Sequence, residues 1–186
     1  MENRQPRLER AEEAVQAIIA AATNELLEEG LESVTHRRIA ERASANLRST
    51  TYYFKSVKAL RREALKVAFG IAQRSREAVI ANLASKSRED VLDLLLLIVY
   101  GSDFSFRRLS VTQQNVLMAS SDPEYTDVMQ QLQIDVEESV RQLFDHFRIK
   151  TPPHQAIALI DGRIFEFILS GGKTNIRERL RDDLGL

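Results

Sequence analysis

The densest run of side chains able to do chemistry lies between Thr35 and Lys58. Leu47 heads a stretch in which Arg48, Ser49, Thr50, Thr51, Tyr52 and Tyr53 follow without interruption, with Lys55 and Lys58 just beyond. Arginine can address guanine O6 and N7 with two parallel N–H groups, hydroxyls donate or accept at base edges, and threonine methyls can touch thymine. Tyrosine hydroxyls and lysine ammonium groups suit phosphate oxygens. Upstream, Thr35, His36 and Arg37 stand where a helix should begin, and the N–H groups of a helix start favour a phosphate. From Leu31 to Lys66 nine Lys and Arg residues face three Glu, a local net charge of +6 inside a chain whose formal charge is −1. A solvated helix face is the bland explanation of such a block, and core packing is the bland explanation of Tyr52, Tyr53 and especially Phe54. Contact with nucleic acid is the chemistry these residues share.

Other chemistries find less support. Gly172-Lys173-Thr174 has the ending of a phosphate-binding loop, but Phe167 holds the place of its first glycine and the preceding segment reads as helix. His36, His146 and His154 are far apart and fit no metal-binding or triad spacing. Asp93 and Asp161 interrupt apolar helices singly, without the paired arrangement that acid–base catalysis needs. There is no cysteine, so disulfides and thiolate metal sites are excluded. We expect no enzyme activity, no metal and no cofactor. The start of the chain lacks the pattern of a signal peptide, and the longest apolar run, Leu94 to Tyr100, is far below the roughly 20 residues that span a bilayer. A cytoplasmic protein is expected.

The elements that would position these residues are helical. With 7 Gly and 4 Pro among 186 residues, and many Ala, Leu, Glu and Arg, the chain favours helix throughout. Val15, Ile18, Ile19, Ala22 and Leu26 recur at helical spacing and predict a first helix from about Arg10 to Gly30. Thr35 should cap a short second helix to Ala43, Ser44–Asn46 should form a turn, and Arg48–Phe54 a third helix. Ser56 should cap a long fourth helix running past Phe69. Beyond it, Ser87 and Asp90 resemble a capping box before Val91–Tyr100; a break covers Gly101–Ser110, and a helix follows over Val111–Ser120. Asp122-Pro123 opens a long helix to about Phe147, Thr151-Pro152-Pro153 opens the next, Gly171-Gly172 ends it, and Thr174 should cap a final segment. The expected fold is all-α, with about nine helices: a three-helix head followed by a helical bundle.

Two short helices joined by a tight turn, the second polar and exposed, form the helix-turn-helix layout that sets a helix into the DNA major groove. Residues Ile18 to Leu60 resemble the DNA-binding region of the TetR family of bacterial transcriptional regulators without a gap, through Ala21, Gly30, Thr35, Ile39, Ala40, Ala43, Tyr52, Phe54, Ser56 and Leu60. The string Thr-Thr-Tyr-Tyr-Phe resembles a subgroup of that family. Several positions depart from the common pattern: Ser44 replaces a turn glycine, Arg48 a frequent glycine, Thr51 a tyrosine, and Val57 a phosphate-contacting lysine that Lys55 or Lys58 could replace. The resemblance implies a DNA-binding domain over 1–55 and a ligand-sensing, dimerising domain over 56–186. Its partners would be double-stranded operator DNA, a second copy of the chain and a small-molecule effector. The implied activity is that of a repressor whose operator affinity the effector lowers; the alternative is a helical DNA-binding or protein-interaction module without a ligand.

Two further expectations concern the second domain. Met129, Leu132, Val136, Val140 and Leu143 make one apolar seam in steps of three and four residues. The next helix carries two stripes, Ile157, Ile160, Ile164 and Ile168, and Ala158, Gly162, Phe165 and Leu169. A helix covered on one side only would leave one stripe in water, so these helices are expected to pair with a second copy as a four-helix interface. The resemblance also implies a pocket among the middle helices for a small, largely apolar ligand. Leu95, Tyr100, Phe104, Phe106 and Met118 are candidates for its walls, and Gln114 or Asn115 for a polar anchor; the same side chains could equally make an ordinary core.

Overall fold

In a computed structural model the protein is described over residues 5–185, all helix, turn and loop. Helix α1 spans Gln5–Glu29, α2 His36–Arg42, α3 Leu47–Tyr53, α4 Val57–Ala81 and α5 Val91–Tyr100. Then come α6 over Phe106–Ser120, α7 over Thr126–Phe147, α8 over Pro153–Leu169 and α9 over Ile176–Leu184. Single 3-10 turns at Leu31–Ser33, Leu83–Ser85, Arg88–Asp90 and Pro123–Tyr125 punctuate them. The all-α, nine-helix expectation holds over the described residues, and no described helix is long and apolar enough to cross a membrane.

Most boundaries follow local chemistry. Thr35 accepts a hydrogen bond from the Arg38 N–H and caps α2, and the Ser56 hydroxyl accepts from the Ala59 N–H at the head of α4. The Ser87–Asp90 capping box forms as expected, although it closes a 3-10 turn ahead of α5. Several boundaries differ from the sequence reading: α1 begins at Gln5 rather than about Arg10, and Asp122-Pro123 opens a 3-10 turn from which α7 follows only at Thr126. Helix α6 begins at Phe106 rather than Val111, because Asp103 and Ser105 accept from the N–H groups of Ser105 and Arg108 and start the helix five residues earlier. The cap of α9 is Asn175, whose side chain accepts from the Glu178 N–H, while the Thr174 hydroxyl bonds to Ser170 instead.

The chain forms two compact units. The first contains the residues up to Phe69 together with Gln114–Val128; the second contains Gly70–Gln113 and Met129 onward. In the first, Ile18, Ala22 and Leu26 of α1, Leu31, Val34, Ile39 of α2, Phe54, and Leu60 and Leu65 of α4 are buried. Each large aliphatic side chain removed from water contributes about 1.5–3 kcal/mol, so this cluster fixes α2 and α3 on α1. Asn115 adds two directional bonds, accepting from the Leu31 N–H at 2.6 Å and donating to the Leu26 carbonyl at 3.0 Å. In the second unit, α5 buries Val91, Leu92, Leu94, Leu95, Leu96 and Ile98 against Val140, Leu143 and Phe144 of α7 and Ala156, Ile160 and Ile164 of α8. Such an apolar helix is stable only when enclosed on most sides. Arg163 ties α8 to α9 with a two-pronged bond to Asp183, at 2.7 and 2.9 Å.

Candidate nucleic-acid interface

Helices α2 and α3 pack on each other and flank a turn over residues 43–46. The turn closes with the Ala45 N–H donating to Ala40 O at 2.9 Å, and Ser44 adopts φ 51°. That left-handed conformation favours glycine, and serine takes it with strain. Asn46 then caps α3, its side chain accepting from the Arg48 N–H at 2.9 Å. Asn46 escaped the sequence reading as a cap, although its type and its place just before a polar helix were the signal.

Beneath the pair lies a buried ion cluster that periodicity did not reveal. Glu25 of α1 is 2 % exposed and lies 2.6 Å from the Arg38 Nε and 2.9 Å from an Arg42 nitrogen. Arg42 also reaches Glu28 at 2.7 Å. A carboxylate so enclosed is tolerable only with its cations in place, so Glu25 fixes α2 across α1. Two of the basic residues counted in the +6 segment are therefore partly spent on the protein itself.

The candidate DNA residues divide by exposure. Leu47, Arg48, Thr51, Tyr52 and Lys55 are exposed, Ser49 and Tyr53 are half-buried, and Thr50 is fully buried. Thr50 donates its hydroxyl to Leu47 O at 2.8 Å and anchors α3 beside the buried Phe54. Its expected role at a base edge is corrected to a packing role, because position 50 points inward. The Thr51 hydroxyl donates to Leu47 O and Arg48 O at 3.2 and 3.1 Å, and the residue is exposed. Tyr52 and Tyr53 meet edge to face with centroids 5.2 Å apart, and the Lys55 ammonium lies 5.3 Å from the Tyr52 ring centre.

On α2, Thr35 and Arg37 are exposed, and Arg37 pairs with Glu41 at 3.2 Å across open surface. Such a pair contributes little and yields readily to a phosphate. His36 is half-buried with an unpartnered Nδ1, and burial pushes its pKa down. It offers a neutral imidazole near neutral pH rather than a cation. Lys58 is paired with Asp122 at 2.6 Å, which raises the lysine's pKa and lowers the aspartate's. That pair is a latch between α4 and the turn after α6, so Lys58 reaches DNA only by leaving Asp122.

The other candidate sites are redistributed. Gln114, Asn115 and Met118 belong to the first unit; Leu95, Tyr100, Phe104 and Phe106 belong to the second. Asn115 is spent on backbone, Leu95 is fully buried core, and the Tyr100 hydroxyl donates to Asp161 at 2.9 Å. Burial pushes the Tyr100 hydroxyl's pKa up, so it remains a donor. Phe104 lies under Arg177, and Phe106, 45 % exposed, tilts against Phe167. An open cleft of about 540 Å³ in the first unit, lined by Lys58, Leu117, Met118, Ser121, Asp122 and Pro123, takes in Met118 alone of the seven. The expected interface seam is also corrected. Val136, Val140, Leu143, Ile160 and Ile164 are buried in the second unit, with Leu132, Ile157 and Ile168 packed against them and Met129 half-buried. On α8 the outward stripe is Ala158, Gly162, Phe165 and Leu169, with Phe165 50 % and Leu169 72 % exposed.

No protein-family model and no curated protein matches the sequence. Among solved structures, one described as a transcriptional regulator, SCO7518 from Streptomyces coelicolor A3(2), is similar at 26% identity and a TM-score of 0.67, covering 93% of this chain and 99% of that one. A second, described as a transcriptional regulator from Saccharomonospora viridis in complex with choline, matches with a TM-score of 0.70 at 19% identity, over 94% of each chain. A third, the TetR-family member SCO1917 from Streptomyces coelicolor A3, matches with a TM-score of 0.61 at 22% identity, over 93% of this chain and 96% of that one. Together these likenesses show that the chain shares the all-helical fold of TetR-family transcriptional regulators.

Proposed function

We propose that the chain is a cytosolic, sequence-specific DNA-binding regulator that works as a homodimer and releases its operator when a small molecule binds. The observation that carries this reading is α3 itself: Leu47, Arg48, Thr51 and Tyr52 face outward while Thr50 and Phe54 hold the helix from behind. Seven residues make about two turns, enough to lie in a major groove about 12 Å wide. Arg48 and Thr51 are the residues proposed to read base edges. Thr35, Arg37, Tyr52, Tyr53 and Lys55 are proposed to fix position through phosphates.

A dimer is supported by the α8 stripe. Phe165 and Leu169 are large apolar residues left in water, and apart from the adjoining backbone of α8 nothing lies within 4 Å of where a Cβ on Gly162 would stand, so another helix could approach closely there. Two-fold pairing would present two α3 helices to half-sites about 34–36 Å apart or a multiple of that. Ligand response is supported by the choline-bound neighbour of the same fold. A ligand that lowers operator affinity tenfold must discriminate between the binding and released forms by about 1.4 kcal/mol.

The test is selection of bound fragments from a random duplex pool, followed by affinity measurements at several salt concentrations. The expected result is a partly palindromic site whose affinity falls steeply as salt rises. Recovery of no common sequence, with binding lost uniformly to any competitor DNA, would support the alternative of a helical module without an operator.

A further inference from the structure

Arg76, in the second half of α4, is 3 % exposed, and its Nε and Nη2 atoms are buried without a hydrogen-bond partner. Those two atoms form one side of the guanidinium, the side whose parallel N–H groups match the two oxygens of a carboxylate. Elsewhere in the same unit that pairing is made: Arg163 holds Asp183 through Nε at 2.7 Å and Nη2 at 2.9 Å. At Arg76 the same edge meets no hydrogen-bonding partner.

The acids whose charge acts on Arg76 are otherwise engaged. Asp135 of α7 and Glu77 of α4 act on it only through their charge. Asp135 accepts from the Gln131 amide at 2.8 Å and Glu77 from the Gln73 amide at 3.0 Å. Desolvation lowers the Arg76 pKa, but a guanidinium does not shed its proton in a protein, so the charge stays. A cation taken from water costs several kcal/mol unless an anion with good geometry meets it. Close to these residues in the chain, Val79 and Ile80 of α4 and Leu132 and Val136 of α7 belong to the hydrophobic cluster of this unit.

We propose that Arg76 is the anchor of a ligand site in the second unit, receiving through Nε and Nη2 the carboxylate of a small molecule with an apolar body. That this ligand is the effector rests on the regulatory reading above. The polar anchor of the expected apolar ligand is then a fixed positive charge rather than an amide.

The full-length protein is titrated calorimetrically with octanoate, benzoate and phenylacetate, with their primary amides, and with inorganic phosphate and choline. Binding of at least one carboxylate is expected, with its amide roughly tenfold to a hundredfold weaker, the range a charge-assisted bond supplies. Arg76→Met should abolish that preference, and Arg76→Lys should restore it only in part, because an ammonium lacks the fork. Carboxylates that bind no better than their amides, or bind Arg76→Met as well as the natural chain, would overturn the site, as would binding of phosphate or choline alone. Should Arg76→Met fail to fold, the comparison of carboxylate with amide on the natural chain decides by itself. Operator affinity is measured separately with each bound carboxylate. A carboxylate that binds through Arg76 yet leaves operator affinity unchanged supports the site and removes the effector role.

Discussion

Ser44 is where the α2–α3 turn is least comfortable. Its φ of 51° puts a side chain in the left-handed region, where a Cβ crowds the following carbonyl. Ser44→Gly is therefore expected to stabilise the protein by about 0.5–1 kcal/mol, offset in part by the freedom glycine gains in the unfolded chain. Thermal unfolding of the two forms checks this; an equal or lower midpoint for the glycine form would show that the turn is not strained. The turn's position and its departure from the usual glycine were legible in the sequence, because residue type alone carries them. The inward placement of Thr50 was not, since a threonine in a polar run looks the same facing the groove or the core. Nor was the pairing of Lys58 with Asp122, which needs residues far apart in the chain to meet.

At the scale of elements, the segment from Gly30 to Leu60 read well because caps, glycine and apolar spacing act locally. Helix α6 read poorly at its start, since Phe106-Arg107-Arg108 has no apolar period and the initiating bonds come from Asp103 and Ser105. The role of Asn115 was invisible for a different reason: it bonds to Leu26 and Leu31, more than eighty residues away. Asn115→Ala leaves the Leu31 N–H and the Leu26 carbonyl without their partner, at a cost of about 1–3 kcal/mol. Denaturant unfolding should show that loss, whereas Asn82→Ala, which removes a single bond to Ala78 O on an exposed helix end, should cost less than about 1 kcal/mol. Equal effects would mean that Asn115 does not hold α1 and the 3-10 turn together.

At the scale of the molecule, the two stripes on α8 were legible from spacing, but not which stripe faces the core. The α7 seam was read as an interface because a buried face and a partner-covered face have the same period; here it belongs to the protomer's own core. Phe165→Glu on the outward stripe should leave helix content intact and convert a micromolar dimer to a monomer in sedimentation velocity, because it places a charge in the centre of an apolar contact. An unchanged sedimentation coefficient, or a natural chain that is already monomeric, would remove α8 from the interface. Fold and head were therefore legible where the determinants are local. The ligand site was not, because nothing in residue order shows that one arginine of α4 is buried with its fork unfilled.

The claim on which the rest depends is that α3 reads DNA. The most direct measurement compares Arg48→Ala and Lys55→Ala with the natural chain on the selected operator and on a scrambled duplex of equal length. Arg48→Ala should weaken operator binding by about 1–3 kcal/mol and erase the preference for the base opposite it, while Lys55→Ala should weaken both duplexes nearly alike. Operator affinity and base preference that survive Arg48→Ala unchanged would contradict the placement of α3 in the groove.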